Sequence, residues 1–152
     1  MTLRLLHLLF LCLCTGFLEG QVVDDLRLDS CVHMASPGQT AFADVHVRVQ
    51  EPARWNNTRT SLERFFDQFF STYTQKKAGG RITLSLLVDT QGQACLYRVQ
   101  PNSNVRPDYL ELKRLLDATS WQPALLNGQP VKSTKVLYIL FDGKRVNVQE
   151  LE

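Results

Sequence analysis

Arg81-Ile82-Thr83-Leu84-Ser85-Leu86-Leu87-Val88-Asp89-Thr90-Gln91-Gly92 is the stretch on which the fold turns. Ile82, Leu84, Leu86 and Val88 recur with the period of two that lines one face of a strand. Asp89-Thr90-Gln91-Gly92 then reverses the chain, with Gly92 supplying the positive φ that a tight hairpin commonly needs. A strand over Ala94–Gln100 therefore pairs antiparallel with Arg81–Val88, and the core of the fold is a hairpin.

Upstream, Leu62, Phe65, Phe66, Phe69, Phe70 and Tyr73 recur at helical spacing on one wide face. Thr58 or Thr60 caps this helix, and Glu63 completes a capping box with Thr60. Lys76, Lys77 and Gly79-Gly80 close it, with cations at the negative end of the helix and glycine beyond. Before it, Phe42 to Gln50 alternates apolar with polar and reads as a half-buried strand stopped by Glu51-Pro52. Downstream, Pro107 and Asp108 open a second helix whose Leu112, Leu115 and Leu116 face inward and which ends near Thr119. Asn127-Gly128 is a two-residue turn signal. Thr134 to Phe141 is an apolar last strand with Leu137, Ile139 and Phe141 inward. The order strand–helix–strand–strand–helix–strand predicts an α+β domain over residues 42–141, an antiparallel sheet with two helices packed on one face. Residues 21–41, with Ser36-Pro37-Gly38, read as an irregular lead-in, and residues 142–152 as a polar tail.

The first twenty residues have the pattern of an export signal. Arg4 precedes an apolar run from Leu5 to Leu18 that is too short for a comfortable membrane span, and Gly20-Gln21 is the expected cleavage point, with Gly16 the fallback. Leu11 precedes Cys12 and Leu13 precedes Cys14, which disfavours lipidation. Removal of residues 1–20 leaves Cys31 and Cys95, 64 positions apart. In an oxidising compartment they form one disulfide or stay as two buried thiols; export tilts the expectation to the bridge.

The 152 residues carry 17 Lys+Arg against 15 Asp+Glu, a net charge of +2, which argues against a nucleic-acid partner. The mature histidines are His33 and His46, and His46 lies on the outward side of an expected strand. Ser85 falls inside a strand and Ser120 just after a helix, without the glycine pattern of a nucleophile elbow. Asp89, Asp108, Glu111 and Asp117 fit turn, cap and exposed-helix positions, and neither a phosphate-cradling loop nor a metal-ligand pair is present. The expectation is a non-enzymatic chain with no metal, no cofactor and no small-molecule substrate. Trp121 is expected in the core, and Trp55 either at a surface contact or against the phenylalanine helix.

From Ile82 onward the chain resembles the C-terminal domain of TonB, the bacterial energy transducer. Arg81 to Gly92, Trp121-Gln122-Pro123, Asn127-Gly128-Gln129-Pro130-Val131 and the strand Leu137-Tyr138-Ile139-Leu140-Phe141 carry the likeness. Glu51-Pro52 and Leu62–Phe70 are similar to the preamble of such domains in Bacteroidetes-type proteins. Trp55-Asn56-Asn57-Thr58 stands where that preamble usually has Phe-Pro-Gly-Gly, and Tyr73-Thr74 where it has Tyr-Pro. A complete transducer needs a spanning anchor and a long proline-rich reach; the lead-in here holds Pro37 and Pro52. The resemblance is therefore to a solitary, exported domain located in the periplasm or cell envelope.

The resemblance implies recognition of an extended peptide of an outer-membrane transporter by strand addition, in TonB-dependent transport. The expected receiving edge is Val136, Leu137, Tyr138, Ile139, Leu140 and Phe141, flanked by Lys132 and Lys135, which either steer an acidic peptide or equally guard the edge against aggregation. Outward-facing Val136, Tyr138 and Leu140 are apolar too, and such an edge aggregates unless something pairs with it. The competing expectation is that the same strand is simply buried, by Phe42–Gln50 or by a second copy in a homodimer. The chain would then be a structural or self-associating envelope domain with no transport role.

Overall fold

The computed structural model describes residues 26–27, 31–71, 80–103, 107–141 and 145–151. The export signal over residues 1–20, Tyr73 and the expected helix closure at Lys76, Lys77 and Gly79 lie outside these residues. In chain order the elements are β1 (Leu26–Arg27), a 3₁₀ turn (Val32–Met34), β2 (Arg54–Trp55), α1 (Arg59–Ser71), β3 (Gly80–Val88), β4 (Ala94–Ser103) and α2 (Tyr109–Asp117). They continue with β5 (Trp121–Gln122), β6 (Ala124–Leu126), β7 (Gln129–Val131), β8 (Ser133–Phe141) and β9 (Val146–Leu151). The fold is α+β, and its main sheet has five strands in the order β1-β4-β3-β8-β9, every neighbouring pair antiparallel.

The β3–β4 hairpin forms where alternation and turn chemistry place it. Asp89 Oδ1 accepts the N–H groups of Gln91 and Gln93, each at 2.9 Å, and Gly92 adopts φ +77°. Between Ser85 and Leu86 the register slips, leaving Tyr97 as the extra residue of a β-bulge. Ile82, Leu84, Leu86 and Val88 are buried in one cluster with Leu62, Phe66 and Phe70 of α1 and Leu112 and Leu116 of α2, so both helices share one face of the sheet. From β8, Leu137, Ile139 and Phe141 join that cluster, and Phe141 stacks on Phe70 with ring centroids 5.4 Å apart.

Local chemistry explains the helix starts. Asp108 Oδ1 accepts from the N–H groups of Leu110 and Glu111, both at 3.0 Å, capping α2. At α1 the cap is Thr58, whose Oγ1 accepts from Ser61 N–H; Thr60 lies inside the helix, so the expected box with Glu63 is not the cap. Trp55 donates from Nε1 to Ser61 Oγ at 2.9 Å and packs edge-on against Trp121, which is buried. That small aromatic corner is held by the β2–β5 pair. Asn127 and Gly128, with φ +53° and +73°, turn β6 into β7, as their sequence predicts.

Two segments depart from expectation. Phe42–Gln50 is not a strand: its contacts are scattered, a lone bridge from His46 to Ser133, the Phe42 ring on Tyr97 and the Gln50 N–H on the Leu125 carbonyl, and Val47 is 87% exposed. It does not pair along β8, because β9 holds that flank. Conversely, residues 146–151 of the expected tail form β9, pairing from Phe141↔Val146 to Val136↔Leu151. Val146 and Val148 alternate with polar residues, and Val148 is buried against the helix side.

Candidate functional site

β8 is not an edge strand. Val136, Leu137, Tyr138, Ile139, Leu140 and Phe141 pair with β3 on one flank and β9 on the other. The physical cause is the one that made the strand conspicuous: unpaired backbone beside apolar side chains is costly, and the next alternating segment along the chain folds back onto it.

The flanking lysines are engaged as well. Lys135 is 3% exposed, on the helix-covered side, and its ammonium lies 3.0 Å from Glu150 Oε2 on β9. Lys132 Nζ donates to the carbonyls of Met34, at 2.9 Å, and Ala41, tying the lead-in to the β7–β8 junction. Neither cation is placed to steer a peptide.

Among the described residues, the sheet ends at β9, whose outer backbone flank has no strand partner. Beside it, Val136 and Tyr138 are half-buried and Leu140 and Leu151 exposed on the face away from the helices. Arg81 crosses that face: its guanidinium sits 5.5 Å from the Tyr138 ring centroid and donates to Tyr138 Oη at 2.9 Å. At the start of β9 a cavity of about 500 Å³ opens between α1 and the β8–β9 hairpin, lined by Glu63, Leu140, Phe141, Arg145, Val146 and Asn147.

A second cluster surrounds the bridge. Cys31 and Cys95 form a disulfide, with Cα atoms 5.9 Å apart, that pins the lead-in to the face of β4 away from the helices. Met34 and Ala41 pack there against Leu87 and Cys95, and Phe42 meets Tyr97 edge to face at 5.0 Å. Cys31 and Asp44, near the ends of this segment, adopt φ +52° and +60°, a left-handed conformation costing a non-glycine residue about 1 kcal/mol. From α2, Lys113 Nζ donates to Cys95 Sγ at 3.2 Å and pairs with Asp117 Oδ2, while Asp117 Oδ1 accepts Leu96 N–H at 2.8 Å. β1 reaches only Arg98 and Val99, so at Leu96 a side chain takes the place of a strand partner.

His33 is exposed, His46 half-buried, and among the described residues no three His, Cys, Asp or Glu side chains gather as metal ligands. Ser85 is buried in β3, and Ser120 accepts from Asn56 Nδ2. On α2, Arg114 grips Glu111 with two hydrogen bonds of 2.8 and 2.7 Å, which hold the Glu111 carboxyl below its ordinary value. No helix of the described residues is long and apolar enough to cross a membrane.

Sequence reading missed β9 and Lys113. The Val146/Val148 alternation and the four-residue spacing of Lys113 and Asp117 were the available signals, both too short to stand out. No family model, curated protein or solved structure matches the chain.

Proposed function

We propose that the chain is an exported, non-enzymatic domain of the TonB C-terminal type, residing in the periplasm or cell envelope. It recognises an extended peptide of an outer-membrane TonB-dependent transporter by strand addition. The receiving edge in this reading is β9, not β8. The observation that carries it is the outer flank of β9, a six-residue strand closing the sheet with no strand partner among the described residues. Main-chain hydrogen bonds along Val146–Leu151 would supply affinity, and alternate guest side chains would lie beside Asn147, Gln149 and Leu151 or over the cavity next to Phe141 and Val146. The Cys31–Cys95 bridge supports an oxidising location. Titrating amino-terminal transporter peptides into the isotope-labelled protein tests the reading: saturable shifts and slowed exchange should appear at the amides of 146–151. Shifts scattered elsewhere, or none, count against it.

One observation favours a second reading, a structural or self-associating domain without a transport role: β9 already covers the strand that the resemblance makes the receptor edge. Exposed Leu140 and Leu151 then meet a second copy, edge to edge. Sedimentation across a hundredfold concentration range separates the readings, because a strict monomer eliminates this one.

A further inference from the structure

The two sulfurs of the Cys31–Cys95 bridge sit in unequal surroundings. On Cys95, an ammonium donates at 3.2 Å from a side chain only partly open to water. That ammonium is aimed by Asp117, and Asp117 is in turn fixed to the β4 backbone at Leu96 N–H. Among the described residues, no cation is hydrogen-bonded to Cys31 Sγ. Cys31 instead carries left-handed backbone strain, as does Asp44 at the far end of the same segment. A cation beside a sulfur stabilises its thiolate, and a sulfur that leaves as the better thiolate leaves faster in exchange.

We propose that this bridge is a thiol–disulfide exchange site of fixed polarity, serving a dithiol reductant. The incoming sulfur bonds to Cys31, and Cys95 departs as a thiolate held by Lys113. In the first step a donor thiolate attacks Cys31 Sγ; the S–S bond breaks and its electron pair passes to Cys95 Sγ. In the second, the other donor sulfur, having lost its proton, attacks the donor side of the mixed disulfide. The donor leaves oxidised as an internal disulfide, and Cys31 takes up a proton. The bridge gains two electrons, the donor loses two, and the donor's remaining proton goes to solvent because Cys95 stays ionised.

Access comes from the lead-in. Cys31 and Cys95 are 1% and 0% exposed, so attack proceeds from the state in which residues 32–44 have lifted from the sheet. That stretch is held there by few groups: Met34, Ala35 and Ala41 at the small cluster, the Phe42 ring on Tyr97, and the two hydrogen bonds from Lys132. Once the bridge opens, relaxation of Cys31 and Asp44 favours the lifted state, which uncovers Leu87 and Tyr97. The device would therefore expose an apolar face under reducing conditions and cover it under oxidising ones. It stands independently of strand addition at β9.

The test uses the whole oxidised protein. Brief reaction with reduced glutathione, an acid quench and peptide mapping should place the mixed disulfide on Cys31 with Cys95 free, by about tenfold or more over the reverse. Equal labelling, or glutathione on Cys95, overturns the proposal. Lys113→Gln should slow reduction by dithiothreitol about fivefold or more at neutral pH and erase the preference for Cys31, while Lys113→Arg keeps both. In the reduced wild-type protein, the pH midpoint for alkylation of Cys95 should lie below that of Cys31, a readout that does not depend on any variant folding. Midpoints that coincide, or a Lys113→Gln protein reduced as fast as wild type, overturn it too.

Discussion

Lys135 Nζ lies 3.0 Å from Glu150 Oε2, joining a buried ammonium on β8 to a carboxylate on the strand that closes the sheet. β9 is thus held by an ion pair as well as by Val148 and its ladder of backbone bonds. The pair sits on the helix-covered side, where water reaches Glu150 but hardly reaches Lys135.

Glu150→Gln should cost about 3 kcal/mol in urea unfolding, because the carboxylate is removed and a buried ammonium is left unpaired. Replacing both partners, Lys135→Met with Glu150→Leu, should fall within about 1 kcal/mol of wild type, since no buried charge remains. A double replacement as damaging as the single one would mean that the pair itself, and not the stranded lysine, carries the energy.

Gly92 and Gly128 share a positive φ and differ in what surrounds them. A Cβ on Gly92 would stand 2.0 Å from the Trp121 carbonyl oxygen, whereas nothing lies within 4 Å of one on Gly128. Gly92→Ala should therefore lose about 3 kcal/mol or more by adding a backbone clash to the conformational strain. Gly128→Ala should lose about 1 kcal/mol from strain alone. Thermal unfolding of the two variants side by side reads the difference.

Replacing both bridge cysteines by alanine should reduce stability by about 4 kcal/mol, the loop-closure value for a link across this separation. Hydrogen exchange should show the loss of protection concentrated in residues 31–46, with the β3–β8 ladder nearly unchanged. Uniform loss across the sheet would show that the bridge supports the whole domain.

Glu111 should titrate below the usual glutamate range in carboxyl-detected NMR, because Arg114 donates two hydrogen bonds to its ionised form. A depressed folded value means that the contribution of the pair is present above the ordinary carboxylate range and fades as pH falls through the lowered one. Arg114→Gln should return the titration to the ordinary range. High salt should narrow the gap in the wild-type protein, since water reaches both side chains, 69% of Arg114 and 37% of Glu111 being exposed.

The β3–β4 hairpin, both helices, the Asn127-Gly128 turn and the inward row of Leu137, Ile139 and Phe141 could be read from the chain because their causes are local. Residue alternation, a capping aspartate or a glycine at a positive φ acts within a few residues of itself. The same reasoning named Cys31 and Cys95 as the pair available for a bridge, but their meeting depends on where the lead-in crosses β4.

Edges were not legible, because which strand closes a sheet is a competition between distant segments. Phe42–Gln50 alternates over more residues than Val146–Leu151, yet the shorter segment holds the flank of β8: it comes next in the chain, so bringing it there costs little closure entropy, and it brings Val148 and Glu150 to the core and to Lys135. Lys135 shows the same limit in one side chain. As a letter in an apolar run it reads as an exposed guard against aggregation, and in space it is a buried charge whose partner lies fifteen positions away. Periodicity and turn chemistry specified the pieces and the face each one buries. Competition for backbone partners, which no local pattern encodes, chose the strand at the rim and so the edge open to a partner.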